Sequence, residues 1–130
     1  MHAGDQVKGP TRLMAFALEG DSAMPSLSAG TRSLPSQPEL EASAEEIEAG
    51  RQLFNWECKG CHGKNAVARF GGSVPDLRYA NAETHAAWQG IVLGGALQHN
   101  GMPRFELSSE NAELIRNYEL SRALQLRESN

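Results

Sequence analysis

Cysteine, surplus positive charge and long apolar runs are all scarce in this chain. Two cysteines occur among 130 residues, so no disulfide framework carries the fold. A zinc site needs more ligands than two thiolates and one adjacent histidine; neither His85 nor His99 stands at zinc-finger spacing. The formal net charge of −4 argues against nucleic acid, which calls for a basic patch. No run of eighteen apolar residues is present, and so no transmembrane helix is expected. The N-terminus has no basic stretch followed by an apolar core and a cleavage site, so no signal peptide is visible.

What is present centres on Cys58-Lys59-Gly60-Cys61-His62. The pattern C-x-x-C-H is the attachment signature of c-type haem. Two thiols can add to the two vinyl groups of one haem, and the two-residue spacing lets a helical turn bring both sulfurs to one edge of the ring. His62 follows directly, which makes it the candidate proximal iron ligand. A thioredoxin-like dithiol would need a surrounding βαβ pattern, which is missing. A disulfide across two residues would be strained and leaves the histidine unexplained. Haem attachment takes place in the periplasm or an equivalent compartment. The expected location is therefore periplasmic, with a leader removed or the chain a piece of a longer precursor.

Three segments are expected. Residues 1–20 are polar at first and then carry Arg12-Leu13-Met14-Ala15-Phe16-Ala17-Leu18-Glu19, where Met14, Phe16 and Leu18 alternate as a strand would place them. A lone strand needs a partner. Residues 21–42 read as a linker, with Pro25, Pro35 and Pro38 among serines. Residues 43–130 form the compact domain. Everything before about Ala42 is expected to add little to its stability, being mobile, docked on its surface or paired with another chain.

Inside the domain, Ser43-Ala44-Glu45-Glu46 is a capping box. Ile47, Gly50, Phe54 and Cys58 then recur at helical spacing and lead into the motif. Gly50 costs about 1 kcal/mol relative to alanine, which predicts a close crossing with the last helix near Tyr118. A second helix is predicted over about 83–93, with Ala87, Trp88, Ile91 and Val92 on its apolar face and Gly94-Gly95 at its end. The last helix opens at Ser108 and buries Leu114, Ile115, Tyr118 and Ala123.

Met102 is the candidate distal ligand. Gly101 and Pro103 flank it, one permitting close backbone approach and the other limiting the loop. Thioether sulfur stabilises ferrous iron, and a His/Met pair raises the potential. His99, His85, Met14, Met24 and an open position are the competitors. Around the proximal side, the carbonyl of Pro75 is a reasonable acceptor for the second imidazole N–H. Arg78 is a candidate partner for a propionate. Trp88 either donates its indole N–H to the other propionate or fills the core.

Taken together, Gly50 and Phe54 before the haem motif, Pro75, the Met102 loop and a terminal helix with Tyr118 resemble class I cytochrome c. The resemblance implies an all-α fold, a small helical domain wrapped around one covalent haem, here with an extended N-terminal arm. A narrower likeness lies in Val74-Pro75-Asp76-Leu77-Arg78, Ile91-Val92-Leu93-Gly94-Gly95-Ala96 and Gly101-Met102-Pro103-Arg104-Phe105. These runs are similar to the C-terminal cytochrome domain of quinohaemoprotein alcohol dehydrogenases. That family joins a β-propeller holding pyrroloquinoline quinone (PQQ) to a haem c domain through a proline-rich linker. Arg12 to Gly20 resembles the end of the propeller, and Asp21 to Glu41 the linker.

The resemblance implies electron transfer by one haem c, from reduced PQQ of a dehydrogenase domain to a small copper protein or another cytochrome. The chain alone would be no enzyme, because the propeller, its quinone site and its catalytic aspartate are lacking. The alternative is a haem enzyme or gas sensor of the peroxidase type, with an open distal position.

Overall fold

The computed structural model describes residues 15, 17–23, 33–68 and 74–129. Five α-helices and three 3-10 turns account for its regular structure, and the described residues contain no β-strand. Helix α1 spans Ala44–Glu57 and opens on the expected capping box. The Ser43 backbone N–H donates to the Glu46 carboxylate at 2.7 Å, and the Glu46 N–H donates to Ser43 Oγ at 3.2 Å. This satisfies two N–H groups that the first turn leaves without helical partners. A short helix α2, Lys59–His62, follows after Cys58.

The last helix, α5, spans Ser109–Ser129. Ser108 starts it, its Oγ accepting from the Asn111 N–H at 3.0 Å. Helix α5 packs mainly against α1. Gly50 and Phe54 of α1 are buried at the contact, and the Phe54 and Tyr118 rings meet at 5.3 Å, tilted by 53°. Around this crossing Ala66, Trp88, Val92, Ala112 and Ile115 complete the core.

The helix expected over 83–93 is two helices, α3 (Ala82–Ala86) and α4 (Trp88–Val92). Asn81 caps α3, its Oδ1 accepting from the Thr84 N–H at 2.9 Å. The break falls at Ala87, whose φ of −85° and ψ of 2° leave the helical region while its N–H is shared between the Glu83 and His85 carbonyls. Helix α4 is tied to the start of α5 instead. The Trp88 indole donates to the Ala112 carbonyl at 2.6 Å, and the Gln89 amide to that of Ser109 at 3.2 Å. These two bonds fix α4 against α5 independently of α3.

In the arm, Met14 and Phe16 of the expected strand lie outside the described residues. Leu18 lies in a turn closed by the Gly20 N–H on the Ala17 carbonyl at 3.2 Å, and it is fully exposed. Nearer the domain the chain is held down. The Gln37 amide donates to the carbonyls of Arg78 and Ala80, both at 2.9 Å, and Gln37 Oε1 accepts from Arg127 at 3.1 Å. The Ala82 N–H donates to the Ser36 carbonyl at 3.1 Å. Residues 36–37 thereby join the 3-10 turn Leu77–Tyr79, the start of α3 and the end of α5.

Candidate haem site

The motif is built by two successive helical ends. Cys58 closes α1 with its N–H on the Phe54 carbonyl at 2.9 Å. The Cys61 and His62 N–H groups then both donate to the Cys58 carbonyl, at 3.2 and 2.9 Å. One carbonyl thus fixes the positions of the second cysteine and the histidine relative to the first. Gly63 ends α2 at φ +78°, a left-handed conformation that glycine adopts without strain.

Neither cysteine is in a disulfide; Cys58 is half-buried and Cys61 exposed. Burial pushes the Cys58 thiol up to about 12, with further contributions from the charges of Glu119, Glu57 and Cys61. A raised Cys58 thiol is not the activated thiolate of a reactive cysteine. Zinc fits no better, since no group of three or more histidine, cysteine, aspartate or glutamate side chains gathers among the described residues.

His62 is buried at 8% exposure, with Nδ1 3.2 Å from the Pro75 carbonyl oxygen. A carbonyl only accepts, so this contact requires the proton on Nδ1 and leaves the Nε2 lone pair available. Burial lowers the His62 pKa, partly opposed by the bond to Pro75. The neutral, oriented imidazole is the form that ligates a metal.

Met102 is half-buried and packs on the core cluster beside Phe105 and Leu107. Its loop is anchored at both ends: the Met102 N–H donates to the Leu97 carbonyl at 3.3 Å and the Phe105 N–H to the Val92 carbonyl at 2.9 Å. Gly101 adopts φ +89°, so its role here is the left-handed turn. His99 lies exposed in the 3-10 turn Gln98–Asn100. His85 is buried and stacks on Trp88 at 6.3 Å. Met14 and Met24 lie outside the described residues.

Arg78 and Trp88 are engaged within the protein. The Arg78 guanidinium donates to both oxygens of the buried Asp76 carboxylate, at 3.0 and 2.9 Å. Trp88 spends its indole N–H on the Ala112 carbonyl. The donor set fits haem c: two cysteines on one turn, a buried imidazole with one nitrogen pinned and one available, and a thioether set against the core.

The sequence reading missed Asp76, Gln37 and Glu119. Glu119 is the least expected, being 1% exposed with neither carboxylate oxygen hydrogen-bonded among the described residues. Its signal was its position, four residues after Ile115 and four before Ala123 on the apolar stripe of α5.

The family described as cytochrome c oxidase, cbb3-type, subunit III matches residues 45–118. The chain belongs to this cytochrome c family. Its described helices are accordingly those of a cytochrome c domain, and the family implies haem c. Among its relatives, quinohemoprotein alcohol dehydrogenase ADH IIB of Pseudomonas putida is 37% identical over 119 residues, covering 89% of this chain and 17% of the relative. The dehydrogenase subunit of alcohol dehydrogenase (quinone) from Acetobacter aceti is 34% identical over 114 residues, covering 85% and 15%. The solved structure of quinohemoprotein alcohol dehydrogenase ADHIIG from Pseudomonas putida HK5 superposes with a TM-score of 0.67 at 34% identity, covering 82% of this cytochrome c and 16% of that chain. The cytochrome c chain therefore spans less than a fifth of these relatives' length. None of its helices is long and apolar enough to cross a membrane among the described residues.

Proposed function

We propose that this cytochrome c domain carries single electrons between a PQQ-containing dehydrogenase domain and a periplasmic acceptor, a small copper protein or another cytochrome. The observation that carries the reading is the His62–Pro75 contact beside two cysteines on the same turn. Cys58 and Cys61 would form the two thioether links of a single haem c. His62 would be the proximal ligand through Nε2, and Met102 the distal one. When bound, the haem supplies reversible one-electron iron chemistry.

The chain's own residues do the rest. Pro75 holds the imidazole in one tautomer and orientation. The loop from Leu97 to Phe105, fastened to Val92, presents Met102 from a fixed base. Phe54, Ile115 and the other core residues keep water from the interior. Met102 is favoured over His99 because it packs on the core while His99 faces solvent. The sequence relatives named as quinone-linked alcohol dehydrogenases support PQQ as the source of electrons.

Two measurements test this. A pyridine haemochrome spectrum of the purified chain should report a haem with two thioether links. The ferric spectrum should be six-coordinate and low-spin with a weak sulfur-to-iron band, which Met102→Ala should abolish while lowering the potential. A sulfur-to-iron band that survives in Met102→Ala would remove that ligand assignment. A five-coordinate, high-spin wild type would favour the enzyme or sensor reading instead.

A further inference from the structure

Glu119 sits where a carboxylate is expensive. It lies in the middle of the buried stripe of α5, between Ile115 and Ala123, and ranks with Phe54 and Ile115 among the most completely enclosed large side chains. Neither oxygen has a hydrogen-bond partner among the described residues. An ionised carboxylate in such a place is strongly disfavoured unless a positive charge arises nearby.

Among the described residues no protein cation supplies one. Among groups on the elements packed against α5, Arg51 is paired with Glu48 at the surface and Arg78 with Asp76. Lys64 is exposed, and α4 carries no titratable side chain. On α5 itself Arg116 pairs with Glu113, Arg122 bonds the Asn65 carbonyl and Gln125, and Arg127 bonds Gln37. His85 on α3 responds to Arg116 and Glu113. Burial alone raises the Glu119 carboxyl well above its usual range. An ionised Glu119 would raise the thiol of Cys58, the residue that ends α1, and the hydroxyl of its own neighbour Tyr118. Cys58 is a thiol proposed to carry the haem, so the group that changes charge would be attached to a residue within electrostatic reach of Glu119.

We propose that Glu119 is a redox-linked proton site, binding one proton when the domain is reduced by one electron and releasing it on reoxidation. This rests on the haem reading above. With neutral axial ligands, the ferric state carries one more positive charge than the ferrous state and favours the carboxylate. Reduction removes that charge. One electron comes from a one-electron reductant, one proton comes from solvent, and an O–H bond forms on a Glu119 oxygen. Reoxidation breaks that bond and returns the proton to solvent. Between the Glu119 pKa of the oxidised state and the higher one of the reduced state, the potential falls as pH rises.

The test is a potentiometric titration of the haem-loaded full chain across pH, beside Glu119→Gln, which keeps the volume and cannot ionise. The wild-type potential should fall with rising pH above the usual carboxylate range, and that slope should be absent from the variant. Equal slopes in the two proteins would overturn the proposal. Should Glu119→Gln fail to fold, infrared difference spectra of the wild type on reduction decide the matter. A protonated-carboxyl band that moves with carbon-13 glutamate labelling supports Glu119, the one buried glutamate among the described residues. Absence of a labelled band refutes it. A negative haemochrome would overturn the haem reading and this proposal together, whereas a positive one with no labelled band overturns this proposal alone.

Discussion

Gly50 faces the backbone of Leu114 so closely that a β-carbon built on it would lie 2.0 Å from the Leu114 carbonyl oxygen and 2.7 Å from its carbon. Both atoms are main chain, so neither helix can yield by turning a side chain. The third neighbour is the Tyr118 β-carbon at 3.0 Å. The absence of a side chain at Gly50 is what sets the separation of α1 and α5. Gly50→Ala should therefore lose stability although alanine is the better helix former by about 1 kcal/mol. Gly50→Val should lose about 1–3 kcal/mol in denaturant unfolding. Stability within a few tenths of wild type for both would mean the helices do not meet there.

Trp88 should behave as a structural anchor. Its indole N–H is buried on the Ala112 carbonyl at 2.6 Å. Trp88→Phe leaves that carbonyl with one bond fewer and should cost about 1–3 kcal/mol, with the haem spectrum unchanged. A shift in potential at unchanged stability would instead show Trp88 acting on the haem, as a propionate donor would.

Gln37 gives the arm a measurable role. It makes three hydrogen bonds to residues far along the chain. A truncation beginning at Ala42 removes them and should cost about 1.5–4.5 kcal/mol, given the usual net worth of each bond. For a domain of this size about 1 kcal/mol lowers the melting temperature by roughly 4–8 °C. The haem spectrum should persist, since no site residue lies before Cys58. An unchanged melting temperature would show that the docked segment adds nothing, as the sequence alone had led us to expect.

His85 predicts acid sensitivity. Burial, aided by the charge of Arg116 and opposed by Glu113, lowers its pKa below the ordinary 6.5, and neither ring nitrogen has a partner. The unfolded chain therefore takes up this proton before the folded one. The contribution of neutral His85 is fully present above about 6.5 and is lost as pH falls through the lower folded-state value. His85→Phe should flatten that part of the profile of melting temperature against pH. Parallel profiles for variant and wild type would show that His85 does not titrate in the fold.

The local parts of this protein were legible in its sequence because they are closed by bonds of three or four residues' reach. The Ser43–Glu46 box needs only the first turn of α1, and the Cys58 carbonyl collects both the Cys61 and His62 amides without help from elsewhere. Gly50 was legible too, because a glycine on an apolar helical face has few explanations other than a crossing. The comparison of sequences alone also placed the chain in its family.

Tertiary structure decided what each polar side chain on a buried face does. The packing of α4 on α5 brings the Trp88 indole to the Ala112 carbonyl. Arg78 turned to Asp76 two residues away, and Gln37 fastened a proline-bearing segment to carbonyls more than forty positions distant. The apolar spacing of α5 identifies which face turns inward, but not that Glu119 on that face ends without a partner. Such outcomes depend on which helices cross and how closely, and that is a property of the assembled core, since donors and acceptors distant in sequence meet only when it forms.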